Sequence, residues 1–169
     1  MGLNNKFILD ACCGPRMFWF NKQHPNCIYI DNRIEKKGYQ DYRPNREIKP
    51  DILMDNRDLK FSDKSFKLII LDPPQIISKN KNFRLAKDYG VLNPDTWKID
   101  IKKSFDECWR VLEDYGVLIF KWNETSIKKR ELLEILKKEP LIGHSNSPVF
   151  SKKPTFWFCF MKIPENDKS

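Results

Sequence analysis

Glycine is scarce, with six in 169 residues, and none fall in the G-x-G-x-x-G spacing that a dinucleotide turn requires. Cysteine is present but unpatterned: five is an odd number, Cys12 and Cys13 are adjacent, and no Cys-x-x-Cys pair occurs. That argues against a disulfide framework and against a zinc knuckle, and for a reducing, cytoplasmic setting. The only histidines, His24 and His144, have no neighbours at metal-ligand spacing, so no metal site is expected. No apolar run approaches membrane-spanning length, and residues 1–9 lack the basic, apolar and small segments of a secretion signal. A soluble, unexported protein is the expectation. Repeats and linkers are also lacking, which predicts a single domain over residues 1–163 and a disordered tail over 164–169.

Positive charge is plentiful. Lys and Arg number 31 against 23 Asp and Glu, a net charge of +8. Such an excess draws polyanions over long range, and nucleic acid is the partner it suggests; the competing reading is a solvated lysine face.

Residues 7–17 read as a short apolar strand, a turn of small residues and a helix start. Cys12, Cys13 and Gly14 carry little bulk, so backbone N–H groups there can approach a ligand closely. Asp31 ends a second strand, 27–31, about twenty residues after Asp10, the interval at which an acid meets a ribose in a βαβ unit. An adenosine-containing cofactor follows. Residues 17–23 allow a short helix, with Phe18 and Trp19 as core or stacking groups. Residues 32–50 are where a crossover helix belongs, although their pattern is poor.

Further strands are predicted at 51–55, 66–71 and 117–122, turned in by residues 114–116 in the last case. Asn93 and Pro94 open a helix with the stripe Trp97, Ile101, Phe105, Cys108, Trp109 and Leu112. Thr125 or Ser126 caps another, carrying Ile127, Leu132, Leu133 and Leu136 and stopped by Pro140. A closing hairpin spans 141–146 and 155–162 around a loop with Pro148, Lys152, Lys153 and Pro154. Alternating strands and helices specify an open, mostly parallel α/β sheet with ligands at the carboxyl ends of its strands. The conspicuous residues fall at such ends: Asp10 to Gly14, Asp31, Asp55, Asp72 to Gln75, and Lys121 to Glu124, the last group without an assigned role.

Asp72-Pro73-Pro74-Gln75 has its own chemistry. An exocyclic amine on a base is a poor nucleophile because its lone pair is delocalised into the ring. The Asp72 carboxylate and the Pro73 carbonyl could grip its N–H groups, and two prolines fix φ so that those acceptors stay still. The competing reading is a Pro-Pro pair that merely ends a strand.

Taken together, these motifs resemble a class I S-adenosylmethionine-dependent methyltransferase, from about residue 7 to 162. The resemblance implies a Rossmann-like, seven-stranded, mostly parallel sheet with helices on both faces and a C-terminal antiparallel hairpin. It implies S-adenosylmethionine bound by Asp10, Ala11, Cys12, Cys13, Gly14, Arg16, Asp31, Asn32, Asp55, Asn56, Arg57 and Asp72. Arg16 stands where a last glycine is usual, which would either crowd the turn or offer a cation to the cofactor's carboxylate. Residues 59–66 resemble the family's "LPF-D-SFD" signature, common in enzymes acting on small molecules. Asp10-x-Cys12-Cys13-Gly14 with Asp72-Pro73-Pro74 instead resembles amino-methyltransferases of DNA and RNA, in which Gln75 occupies the place of a base-stacking aromatic. Catalysis is then expected of Asp72, Pro73, Pro74 and Gln75, and phosphate contacts of Lys79, Lys81, Arg84 and Lys87. Sequence specificity would come from loops or from a protein partner, since the chain has no separate recognition domain. A small-molecule methyltransferase and a non-catalytic binding subunit remain the alternatives.

Overall fold

Among the described residues seven strands join one sheet. The computed structural model describes residues 5–145 and 152–167. Its strands are β1 (Ile8–Asp10), β2 (Cys27–Asp31), β3 (Ile52–Leu53), β4 (Phe66–Leu71), β5 (Leu112–Asn123), β6 (Ile142–Ser145) and β7 (Thr155–Met161), in the order β3-β2-β1-β4-β5-β7-β6. Pairings from β3 through β5 are parallel, and β7 runs antiparallel to both β5 and β6. The chain therefore has the Rossmann-like sheet and closing hairpin read from the sequence. The expected loop residue Pro148 lies outside the described residues.

β1 and β2 are buried throughout, as strands sandwiched on both faces of a parallel sheet must be. Along β5 buried and half-buried residues alternate, with Leu118, Phe120 and Trp122 fully inside. These three pack on α2 (Trp97–Val111) and α3 (Lys129–Leu136), whose inward stripes include Ile101, Phe105, Cys108, Leu132 and Leu136. Both long helices join this one cluster and so lie on one face. Helices were expected on both faces; on the other, the small cluster of Ile8, Cys13, Cys27, Tyr29 and Ile70 is covered by Phe18 and Trp19.

The helix expected at 17–23 is a series of turns, because Arg16 takes a φ of 54° and the two aromatics fold down onto the sheet. The crossover helix expected at 32–50 is likewise absent. That segment is a long loop closed by an antiparallel bridge between Glu35 and Ile48, with Ile48 wholly buried as its anchor. The lysine-rich loop contains a short helix, α1 (Arg84–Tyr89). α2 starts at Trp97, one turn after Asn93, whose side chain accepts from the Asp95 N–H and whose carbonyl accepts from Trp97 N–H. α2 then passes straight into β5, and the turn expected at 114–116 is a bulge inside that strand, with Tyr115 at φ 59°. α3 starts at Lys129, and Glu124 rather than Thr125 or Ser126 accepts its first N–H, at 2.9 Å. The expected disordered tail carries one 3-10 turn, Glu165–Asp167, tied to β5 by the Tyr115 hydroxyl donating to Asp167.

Lys162 closes the C-terminal end of α2: its ammonium donates to the carbonyls of Trp109 at 2.8 Å and Leu112 at 2.7 Å. Such carbonyls have no intrahelical partner. Lys162→Met leaves them unsatisfied and should cost about 2 kcal/mol in a denaturant unfolding titration, with the slope unchanged.

Candidate functional site

The strand order reverses between β1 and β4, so the loops leaving them part and open a crevice at their carboxyl ends. Backbone bonds hold the first loop in place. Ala11 N–H donates to Ile70 O and Cys13 N–H to Ile30 O, each at 2.9 Å, so the turn bridges β4 and β2. Gly14 then adopts φ +47°, and a Cβ there would meet nothing within 4 Å, leaving its backbone bare toward the cleft. Its N–H donates to Asp31 Oδ2 at 2.9 Å.

The resulting cleft has a volume of about 1300 Å³. Its walls bring together Ala11, Cys12, Cys13, Gly14, Asp31, Asn32, Asp55, Asn56, Arg57, Asp72, Pro73 and Pro74, with Lys79, Lys81 and Lys87 at one lip. Residues from five loops far apart in sequence thus share one cavity. Four predicted site residues do not reach it. Asp10 lies beneath the turn, its carboxylate taken by Trp19 Nε1 at 2.8 Å and Cys12 N–H at 3.3 Å. Arg16 points to the opposite face, where it donates to Lys22 O, Lys49 O and Asp51 and stacks 3.7 Å from the centre of the Tyr29 ring. The fork geometry of guanidinium suits this staple between the first turn and the start of β3, and withdraws it from any cofactor carboxylate. Arg84 stacks on Tyr42, 4.4 Å from its centre.

Gln75 turns inward. Its Nε2 donates to Asp72 Oδ1 at 2.7 Å, and its Oε1 accepts from Asn123 N–H at 3.1 Å. It is bonded to Asp72 and does not line the cleft. Lys121, singled out at a strand end but left without a role in the sequence, gains one here: its ammonium lies 3.1 Å from Asp72 Oδ2 and 4.8 Å from the centre of the Phe18 ring, and it lines the cleft. The available signal was its place at the end of a central strand. Asn123 and Glu124 are spent on structure, holding Thr155 and the start of α3.

Burial sets the electrostatics. Asp72 is raised above the usual carboxylate range by desolvation, offset by Lys121 and then by its bonds to Lys121 and Gln75. Asp10 is pushed up to about 7, first by burial, with nearby Asp72 and Asp31 adding to it. Cys12 and Cys13 are raised by burial and stay as thiols. On the rim, Asp55 is lowered by its bonds to Arg57, which also reaches Asp100 at 2.8 Å. Asn56 links the first turn to α2, donating to Ala11 O and accepting from Ser104 Oγ.

Among the described residues, Tyr39 in the cleft wall has a buried hydroxyl with no hydrogen-bond partner. Among the described residues no group of three or more His, Cys, Asp or Glu could hold a metal, and no helix is long and apolar enough to cross a membrane.

No family model matches the sequence, and no curated protein does. Solved structures do match in fold. A SAM-dependent methyltransferase from Methanosarcina mazei superposes with a TM-score of 0.55 at 13% identity, over 94% of this chain and 92% of that one. The 1,6-didemethyltoxoflavin-N1-methyltransferase of Burkholderia thailandensis, with bound 1,6-didemethyltoxoflavin and S-adenosylhomocysteine, gives 0.55 at 13% identity over 93% and 71%. The chain has the fold of class I methyltransferases. The cyclase SpnF shares it at 0.53 and 12% identity, over 92% of this chain and 74% of that one, so the fold alone does not fix the reaction.

Asp10 gives the site a measurable pH signature. Its folded value, about 7, lies above the ordinary 3.8, so the protonated form favours the native state. That stabilisation is complete below the unfolded value and is lost as pH rises toward the folded one. Asp10→Asn cannot lose it. The stability of the variant relative to wild type should therefore rise from about pH 5 to about pH 8 in thermal or denaturant unfolding.

Proposed function

We propose that the protein transfers a methyl group from S-adenosylmethionine to an exocyclic amino group of a nucleic-acid base. The observation that carries this reading is the convergence of the β1, β2 and β4 loops on one cleft with Asp72, Pro73 and Pro74 in its wall. The fold supports the cofactor, and so does the donor set. Asp31 Oδ2 accepts from Gly14 N–H and Oδ1 from Arg33 N–H, which leaves lone pairs for ribose hydroxyls. The open space beside Gly14 leaves room for a nucleoside against the first turn. Asn32, Asp55, Asn56 and Arg57 would frame its base. When bound, S-adenosylmethionine supplies an electrophilic methyl on a positively charged sulfur, which suits a cavity holding Asp31 and Asp72.

The remaining chemistry belongs to the chain. Lys121 and Gln75 hold Asp72 in one orientation, and Lys121 favours its ionised form against burial. Asp72 then accepts one N–H of the acceptor amine and the Pro73 carbonyl the other, aligning the nitrogen lone pair. Lys79, Lys81 and Lys87 would contact phosphates. A second reading, a small-molecule acceptor, is favoured by Gln75: it is spent on Asp72 and offers no ring on which a flipped base could stack.

Incubation with labelled S-adenosylmethionine and DNA, RNA or a metabolite extract separates the two. Label is expected in nucleic acid, and binding should weaken with a log–log salt slope of roughly −2 to −3 for three phosphate contacts. Salt-independent labelling of a metabolite alone would overturn it. Asp72→Ala should lower turnover about 10²-fold or more, well beyond its effect on calorimetric cofactor affinity. Asp31→Ala should weaken that affinity roughly 10- to 100-fold.

A further inference from the structure

The lip of the cleft formed by α1 and the loop before it has a composition unlike the rest of the rim. Tyr89 lines the cleft yet is 50% exposed, and Tyr42, on the facing 32–50 segment, is 39% exposed. The Arg84 guanidinium sits over the Tyr42 ring, 4.4 Å from its centre, and the Tyr42 hydroxyl in turn donates to Arg84 O at 3.1 Å. Lys81, Arg84 and Lys87 have no carboxylate within ion-pair distance among the described residues, whereas Lys79 meets Asp95 at 3.5 Å. The lip is firmly seated. Asp88, buried in α1, accepts from Arg46 and Gln40 at 2.8 Å each, locking α1 to the opposing segment.

Exposed flat rings and a stacked guanidinium offer π-faces to bases, and interleaved unpaired cations offer charge to a backbone. A duplex shows its phosphates but hides its base faces. α1 is also too short, at six residues and about 9 Å, to read a major groove. The Asp72 side chain is recessed, 17% exposed, so a base reaching it must already be out of its stack.

We infer that this lip is a binding platform for single-stranded nucleic acid, with bases on Tyr42, Arg84 and Tyr89 and phosphates on Lys81 and Lys87. The inference rests on the nucleic-acid reading above and narrows it to strands that are unpaired at the cleft. It also separates from plain charge attraction. A basic patch alone would bind duplex at least as well as single strand, because the duplex is the denser polyanion.

Fluorescence anisotropy with one labelled oligonucleotide, single-stranded and annealed to its complement, tests this at fixed salt. The single strand should bind about tenfold or more tightly than the duplex. Tyr42→Ser and Tyr89→Ser should each weaken it about fivefold or more, while Tyr42→Phe and Tyr89→Phe, which keep the ring, stay within roughly twofold of wild type. Equal or tighter duplex binding, or serine variants that bind like wild type, would overturn the platform. Titration of S-adenosylmethionine into the same preparations keeps the readings apart. Cofactor binding without single-strand binding removes the platform and leaves the methyltransferase; single-strand binding without cofactor binding does the reverse.

Discussion

The arrangement depends on a three-residue strand. β1 is buried on both faces between β2 and β4, and when it ends, its backbone bonding continues outward to Ile70 on one side and Ile30 on the other. Those two bonds pin Ala11 and Cys13, so the chain reverses at Gly14 with its amide aimed at Asp31. Because both neighbouring strands run parallel, Asp31 at the end of β2 and Asp72 just past the end of β4 arrive at the same level as that turn. Proximity of the acidic groups is thus a result of strand direction and order, not of any local attraction between them.

That proximity carries an electrostatic cost, and the surroundings answer it in three ways. Asp10 is buried beneath the turn and favours its protonated form. Asp31 is hydrogen-bonded to two backbone amides. Asp72 faces an ammonium from the next strand, Lys121, with Gln75 closing the gap between the two. One cluster therefore contains a carboxyl that favours neutrality, a carboxylate held by amides and a carboxylate balanced by a cation. Only the last two line the cavity.

The layers are uneven. α2 and α3 thicken one face with Phe105, Leu132 and Leu136, while turns carrying Phe18 and Trp19 serve for helices on the other. Connections that form no helix are free to reach over the cleft, and the 32–50 segment does so, joined to α1 through the buried Arg46–Asp88 pair. A buried ion pair of this kind contributes little net stability, but it strongly disfavours separation of its two partners. The lip is held by charge where the core is held by apolar packing.

Much of this was legible beforehand. The apolar runs at 27–31 and 66–71, the stripe from Trp97 to Leu112 and the acids at strand ends report local periodicity, and periodicity survives folding because it states which face must leave water. Arg16, Gln75 and Arg84 were misplaced for a common reason. Each side chain is held in part by a partner distant in sequence, Asp51, Asn123 and Tyr42 respectively, and only the assembled sheet and loops bring those within reach. The same holds for Lys121 beside Asp72 and for Asp88 inside the lip. The sequence by itself determined the sheet, its order of elements and the acids at its carboxyl edge. Tertiary structure alone decided which charges face the cavity, because a long polar side chain is directed by its nearest complement in space and not by its neighbours along the chain.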